Sequence, residues 1–273
     1  MSSTALTTPT PSRFLPRSAM FWLGVVIVGQ ALFFGYIFSF YGVAALQGNF
    51  QVWAKNTNAI AGYVANDASG NLVFGAHAIL AAVLALCGVL QLVPQIRARA
   101  PTFHRWNGRI FLLVALAATV SGFALVWWRG TYLNLVSAWA VSINGALIIG
   151  FAALAWRTAR ARDFTAHRRW ALRTFLVVNG VWFQRLGYFS WFMIMQAPVG
   201  ITKKMTGPFD VFIGFACYLL PLAVLELYFR AKESQNAKLR LVAGATISVF
   251  TMLMLVGIAA HVVLIWMPLM KKL

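Results

Sequence analysis

Apolar residues in this chain gather into long runs with almost no charge, parted by short polar or basic stretches. A helix needs about 20 apolar residues to cross a bilayer, and runs of that kind predict seven crossings. The first is Met20 to Leu46. The second runs from about Leu72 to Val93, where Pro94 stops it, and the third from Phe103 to Trp128. The fourth spans Leu133 to Trp156, and the fifth Ala166 to Gln196, ending before Pro198. The sixth covers Phe209 to Arg230 and the seventh Leu239 to Met267, closed by Pro268. The expected fold class is therefore an all-α integral membrane protein.

The polar stretches divide the chain. Residues 1–19 are rich in Ser, Thr and Pro, hold Arg13 and Arg17 and no acid, and read as a disordered cytoplasmic tail. Residues 20–71 carry the first helix and a polar outer loop. That helix is too long for a signal-peptide core and is expected to stay uncleaved. Residues 72–197 hold four helices, and residues 198–273 an outer loop and the last two.

Composition supports the membrane class. The chain is 61% hydrophobic and 10% charged, outside soluble usage. Lys and Arg number 23 against five acids, Asp67, Asp163, Asp210, Glu226 and Glu233, a formal charge of +18. In a soluble domain that excess would point to nucleic acid. Here the basic residues flank apolar runs, so they set topology and meet anionic lipid, and nucleic acid is not an expected partner. The heavier side holds Arg13, Arg17, two arginine-rich stretches and the Arg230–Arg240 linker. Placing it in the cytoplasm of a bacterial inner membrane gives a cytoplasmic N-terminus and an outer C-terminus. Cys87 and Cys217 stand deep in apolar runs without CxxC spacing and are expected as buried thiols.

One basic stretch occurs twice. Arg97, Arg99, Thr102 and His104 recur as Arg160, Arg162, Thr165 and His167, each 63 residues on. An Arg follows each His, and a Trp and an Arg stand inside each following helix. Helices two and three are therefore expected to repeat as four and five, in the same orientation, about an axis along the membrane normal. The two pairs would form a central four-helix bundle with helices one, six and seven outside it.

Thr102 and Thr165 are read as N-caps, which puts both imidazoles in a first helical turn, facing one another at the cytoplasmic end. Gly108 and Ala171, one turn on, leave room beside each ring. A bis-histidine haem b suits such a pair, with Arg105, Arg109, Arg168, Arg169 and Arg173 for its propionates. The same arginines at helix N-termini also describe a site for a lipid phosphate. His77 and His261 share the outer half, where a second pair is conceivable. The repeat equivalent of His77 is Ala140, so no symmetric partner exists there.

Arg185 lies deep in helix five beside Gln184, with Tyr188 three residues on along the same face. A charge at that depth faces the bundle interior, a cavity or a partner, or else snorkels to the outer surface. No acid is placed at that depth, so its expected partners are an anionic ligand, a quinone or porphyrin oxygen, helix carbonyls or His77. Glu226 and Arg230 are read as an i,i+4 pair. The scarcity of buried acids argues against cation-coupled pumping. The chain has no Walker loop, HExxH, GxSxG or Rossmann fingerprint, so no standard hydrolase or nucleotide enzyme is indicated.

With His77, the His104-Arg105-Trp106-Asn107-Gly108-Arg109 and His167-Arg168-Arg169-Trp170 turns and Arg185 in place, residues 72 to 195 resemble a family of bacterial membrane proteins known as domain of unknown function 2306. The resemblance implies no activity. A looser likeness is to the two-haem transmembrane cytochromes b. This chain departs from them in having no histidine in helix four and two histidines at helix ends. Three functions stay open. One is electron transfer through haem b at His104 and His167, with His77, His261 and Arg185 at an outer site and a redox partner or quinone. Another is a non-enzymatic accessory protein whose basic turns hold anionic lipid or a partner. The last is carriage of a small anion past Arg185.

Overall fold

The computed structural model describes residues 13–56 and 62–271, and it is built of helices. Helix α1 (Phe14–Ile37) continues through a π-helical turn (Phe38–Gly42) into α2 (Val43–Leu46). A 3-10 turn (Phe50–Lys55) precedes α3 (Ala68–Leu92). The short α4 (Pro94–Arg99) leads to α5 (Pro101–Phe123), which ends in a second π-helical turn (Ala124–Trp128). Then come α6 (Leu135–Arg160), α7 (Phe164–Val178), α8 (Gly180–Met195) and α9 (Pro208–Glu233). The last rod is α10 (Ala237–His261), a third π-helical turn (Val262–Trp266) and α11 (Met267–Met270).

Among the described residues, six helical rods are long and apolar enough to cross a bilayer. The fifth expected crossing is instead two helices, α7 and α8, that meet at Asn179. Chemistry at that junction explains why the break is tolerated in a dry interior. The Asn179 side chain donates to the Phe175 carbonyl at 2.8 Å and accepts from Gln30 Nε2 of α1 at 2.8 Å. Asn144 of α6 donates to the Val177 carbonyl at 3.0 Å, so a carbonyl at the helix break keeps a partner. Gly180 allows this approach, because a Cβ there would stand 2.8 Å from Asn144 Nδ2.

The helix starts differ from the expected ones. Pro101 occupies the first position of α5, where a missing N–H is harmless, and Ala100 is the cap. Asp163 caps α7, accepting from Ala166 N at 2.9 Å, because a carboxylate is the stronger acceptor for that orphan donor. Thr102 and Thr165 are thus inside their helices, and Arg97 and Arg99 ride on α4 rather than a turn. Phe14 already begins α1, so residues 14–19 are helical; the rest of the expected tail, residues 1–12, lies outside the described residues.

Packing pairs α3 with α5 and α6 with α7, as a duplicated hairpin requires, and α5 lies against α6. The first and last rods are not peripheral. Helix α10 runs along both α1 and α8, and Val26, Gln30 and Thr251 are fully buried there. Small residues permit the contact: a Cβ on Gly257 would stand 2.5 Å from the Leu186 carbonyl, and Ser190 Oγ donates to the Leu253 carbonyl at 2.7 Å. Cys87 and Cys217 are buried free thiols.

One end of the molecule carries the two arginine-rich stretches and is called the basic end; the other is the far end. All three π-helical turns lie at the far end. There Arg129 links the hairpin's two tips, donating to Asp67 Oδ2 and to Asn71 Oδ1, both at 2.8 Å. Asn71 in turn exchanges two hydrogen bonds with the Val64 backbone, closing the preceding loop on α3.

Candidate functional site

The basic end brings His104 and His167 into each other's electrostatic neighbourhood. His167 Nδ1 lies 2.9 Å from the Ala155 carbonyl, which can only accept, so Nδ1 carries a proton. His104 Nδ1 is buried and has no partner. The space beside His104 is filled, however. Gln91 lies against Gly108, its Oε1 3.2 Å from where a Cβ would stand, and its Nε2 donates to the His104 carbonyl at 3.0 Å.

The arginines are largely committed as well. Arg173 forms an ion pair with Glu226 at 2.6 Å, and Arg169 pairs with Glu233. Arg173 also lies over the Trp170 ring at 4.6 Å, and both arginines stack on Phe229. Glu226 therefore reaches α7 rather than Arg230 on its own helix. Arg109 lies over Trp106 at 4.7 Å, and Arg105 donates to Thr102 Oγ1 at 3.1 Å. At this end cation–π stacking and interhelix ion pairs join α7 to α9.

The far half is different. Arg185 is exposed by its own surface, yet Tyr36 and Tyr41 of the first rod, His77 of α3 and His261 of α10 all stand within its electrostatic reach. An exposed side chain with groups of three other rods around it borders the space between those rods, called the chamber below. Its nearest protein acceptor is the Val181 carbonyl one turn back, at 3.5 Å, which is a poor hydrogen bond. No acid among the described residues pairs with it; the ion pairs all lie at the two ends.

Aromatic rings cluster beside the chamber. His261 is buried, its ring 4.4 Å from Phe189 and 5.0 Å from Trp266, and its Nδ1 has no partner. Trp266 stacks on Tyr36 at 5.2 Å, and Tyr41 touches Phe74 of α3 at 5.8 Å. His77 follows Phe74 by one turn and holds Ser121 Oγ of α5 through Nδ1 at 2.9 Å. Two of the π-helical turns sit here: Tyr41 lies in one, and another begins directly after His261. Such turns are frequent at functional sites, because an extra residue re-aims side chains without breaking the helix.

Gln184 and Tyr188, expected beside Arg185, turn away from it. Tyr188 donates to Asp210 Oδ1 at 2.8 Å, and Gln184 faces Ser137, Ala140 and Gly214. Asp210 is buried and also accepts from the backbone N–H groups of Thr202 and Gly207, both at 2.9 Å. It anchors the loop before α9 and is a satisfied structural carboxylate. Sequence reasoning missed Tyr36, Tyr41 and Trp266, which lie in apolar runs as ordinary aromatics; Gln30 and Asn179, amides in such runs, were the legible signal of an interior polar contact.

A family model described as a predicted membrane protein (DUF2306) matches residues 74–229, which spans α3 to α9 and includes His77, His104, His167 and Arg185. No curated protein and no solved structure matches the chain.

Proposed function

This chain belongs to the DUF2306 family of predicted membrane proteins, and we propose that its working centre is the chamber around Arg185. There it holds a ligand through oxygen atoms, inside the bilayer. The observation that carries this reading is an interior guanidinium with no carboxylate and no good hydrogen bond. An uncompensated charge at such depth is expensive, so an arginine kept there has its partner elsewhere than in the protein. The unpartnered His261 Nδ1 beside it adds a second unfilled polar group. Mass spectrometry of organic extracts from purified protein tests the reading. The wild type should retain a small organic species that Arg185→Gln loses; identical contents in both would overturn it.

A second reading places haem b between His104 and His167 for electron transfer. It is supported by the His167 Nδ1–H bond to Ala155, the usual way a protein orients a ligating imidazole. Against it stand the Gln91 side chain beside His104 and the commitment of Arg169 and Arg173 to glutamates, which leaves Arg105, Arg109 and Arg168 for propionates. A reduced-minus-oxidised spectrum decides: a Soret band lost on His104→Ala or His167→Ala supports it, and colourless protein from haem-replete cells ends it. By its excess of arginine we place the basic end in the cytoplasm, with Arg105 and Arg168 facing anionic lipid.

A further inference from the structure

Two groups of opposite hydrogen-bonding sense border the chamber. Arg185 can only donate. His77 is held the other way. The single Ser121 hydroxyl proton goes to the Ala118 carbonyl at 3.0 Å, so Ser121 Oγ accepts from His77 Nδ1–H at 2.9 Å. In this arrangement, the one in which both contacts are hydrogen bonds, Nε2 bears the lone pair, and no hydrogen bond to it occurs among the described residues. Beside these groups the rings of Tyr36, Trp266, His261 and Phe189 form a chain of contacts, each against the next.

Each feature narrows the ligand. A flat conjugated ring suits aromatic walls, through offset stacking and edge contacts. A donor and a separate acceptor call for a ligand with two oxygens on one ring, the second able to carry a proton. A fatty acid would satisfy Arg185 but would leave the His77 lone pair and the ring faces unused. On the premise that the chamber is the binding site, we infer that it takes the head group of a membrane quinone. One oxygen accepts from Arg185, and in the hydroquinone form the opposite hydroxyl donates to His77 Nε2. Both redox forms bind reversibly, without any bond being made or broken.

The test uses the full chain in quinone-free phosphatidylcholine nanodiscs. Decylubiquinone, anaerobic decylubiquinol and decanoate are titrated separately, with quenching of tryptophan fluorescence as the readout for the ring compounds and competition for the acid. Both ring forms should bind saturably. Arg185→Gln should weaken both by tenfold or more, on the order of a charge-assisted hydrogen bond. His77→Phe should weaken the hydroquinone about tenfold and the quinone hardly at all, since only the former has a proton to give. Glu233→Gln, at the basic end, should change neither. Should Arg185→Gln fail to fold, the His77→Phe split still decides. Decanoate binding as tightly as the quinone, with the same dependence on Arg185, overturns the quinone and leaves the chamber. Absence of quinone binding, with another species retained through Arg185, does the same. Quinone binding indifferent to Arg185→Gln and His77→Phe places the site elsewhere and overturns the inference.

Discussion

The two histidine pairs of this protein stand in opposite electrostatic conditions. At the basic end the arginines nearest α9 meet Glu226 and Glu233, and Gln91 fills the gap beside His104. In the far half Arg185 has no counter-ion and no good hydrogen bond, while each pair keeps one imidazole, His104 or His261, whose Nδ1 has no partner. The difference teaches where to look for function in a protein with few acids. Saturated polar groups hold helices together, whereas unsaturated interior ones persist only if something outside the chain completes them. The repeat accounts for the first region but not the second. The chamber needs Tyr36 and His261 from rods outside the repeat, and the repeat partner of His77 is Ala140, buried elsewhere.

Substitutions can break this contrast, and the largest effect is expected at a satisfied group near the chamber but not in it. Asp210→Ala would leave the Thr202 and Gly207 N–H groups and the Tyr188 hydroxyl without their acceptor, and should destabilise by about 3–5 kcal/mol. Thermal unfolding in detergent measures it; an unchanged midpoint would show that the loop before α9 is not anchored there. Asn179→Leu comes next. It removes the acceptor of Gln30 Nε2, with an expected loss of about 1–2 kcal/mol in the same assay. A neutral outcome would mean that α7 and α8 join into one helix once the amide is gone.

His261→Phe is the sharper half of the comparison. Replacing an unpartnered buried imidazole by an apolar ring should leave stability unchanged or raise it by up to about 1 kcal/mol, while ligand retention falls. A marked loss of stability would show that His261 has a structural partner and would weaken the contrast itself. The smallest effect is pH-dependent and lies at the far-end clamp. The Gly70 N–H first, and Arg129 next, hold the Asp67 carboxyl below the usual carboxylate range. A depressed folded pKa contributes stability that is full above the unfolded value and is lost as pH falls through the folded one. Stability should therefore be flat near neutrality and decline below about pH 4, and Asp67→Asn should remove that part of the acid dependence.

Much of this architecture was legible before folding. Uninterrupted apolar runs located six of the seven expected rods, because a bilayer demands about 20 such residues whatever the neighbours are; the fifth in order is instead two helices, α7 and α8. The 63-residue recurrence marked the hairpins that pack as α3 with α5 and α6 with α7. The depth of Arg185 and the want of an acid near it followed from position alone. Other features had no local signal. Thr102 looked like a cap, but Pro101 before it and Asp163 before Thr165 take the helix starts, a competition settled by backbone geometry. Glu226 could pair along its own helix or across to Arg173, and only the approach of α9 to α7 chose. The break at Asn179 depends on Gln30 and Asn144, which are far away in the chain and bring their amides to the freed groups only after α1 and α6 have packed.

The sequence by itself determined that this is a multi-pass membrane protein, which stretches carry positive charge, and that one arginine stands within an apolar run with no acid near it in the chain. Those are properties of composition and of position along a rod, and they need no partner to be true. Tertiary structure decided which histidines meet which arginines, that Gln184 and Tyr188 turn away from Arg185, and that the first and last rods close the chamber. Those are distances between residues far apart in sequence, and they exist only once small residues such as Gly180 and Gly257 let the helices come together.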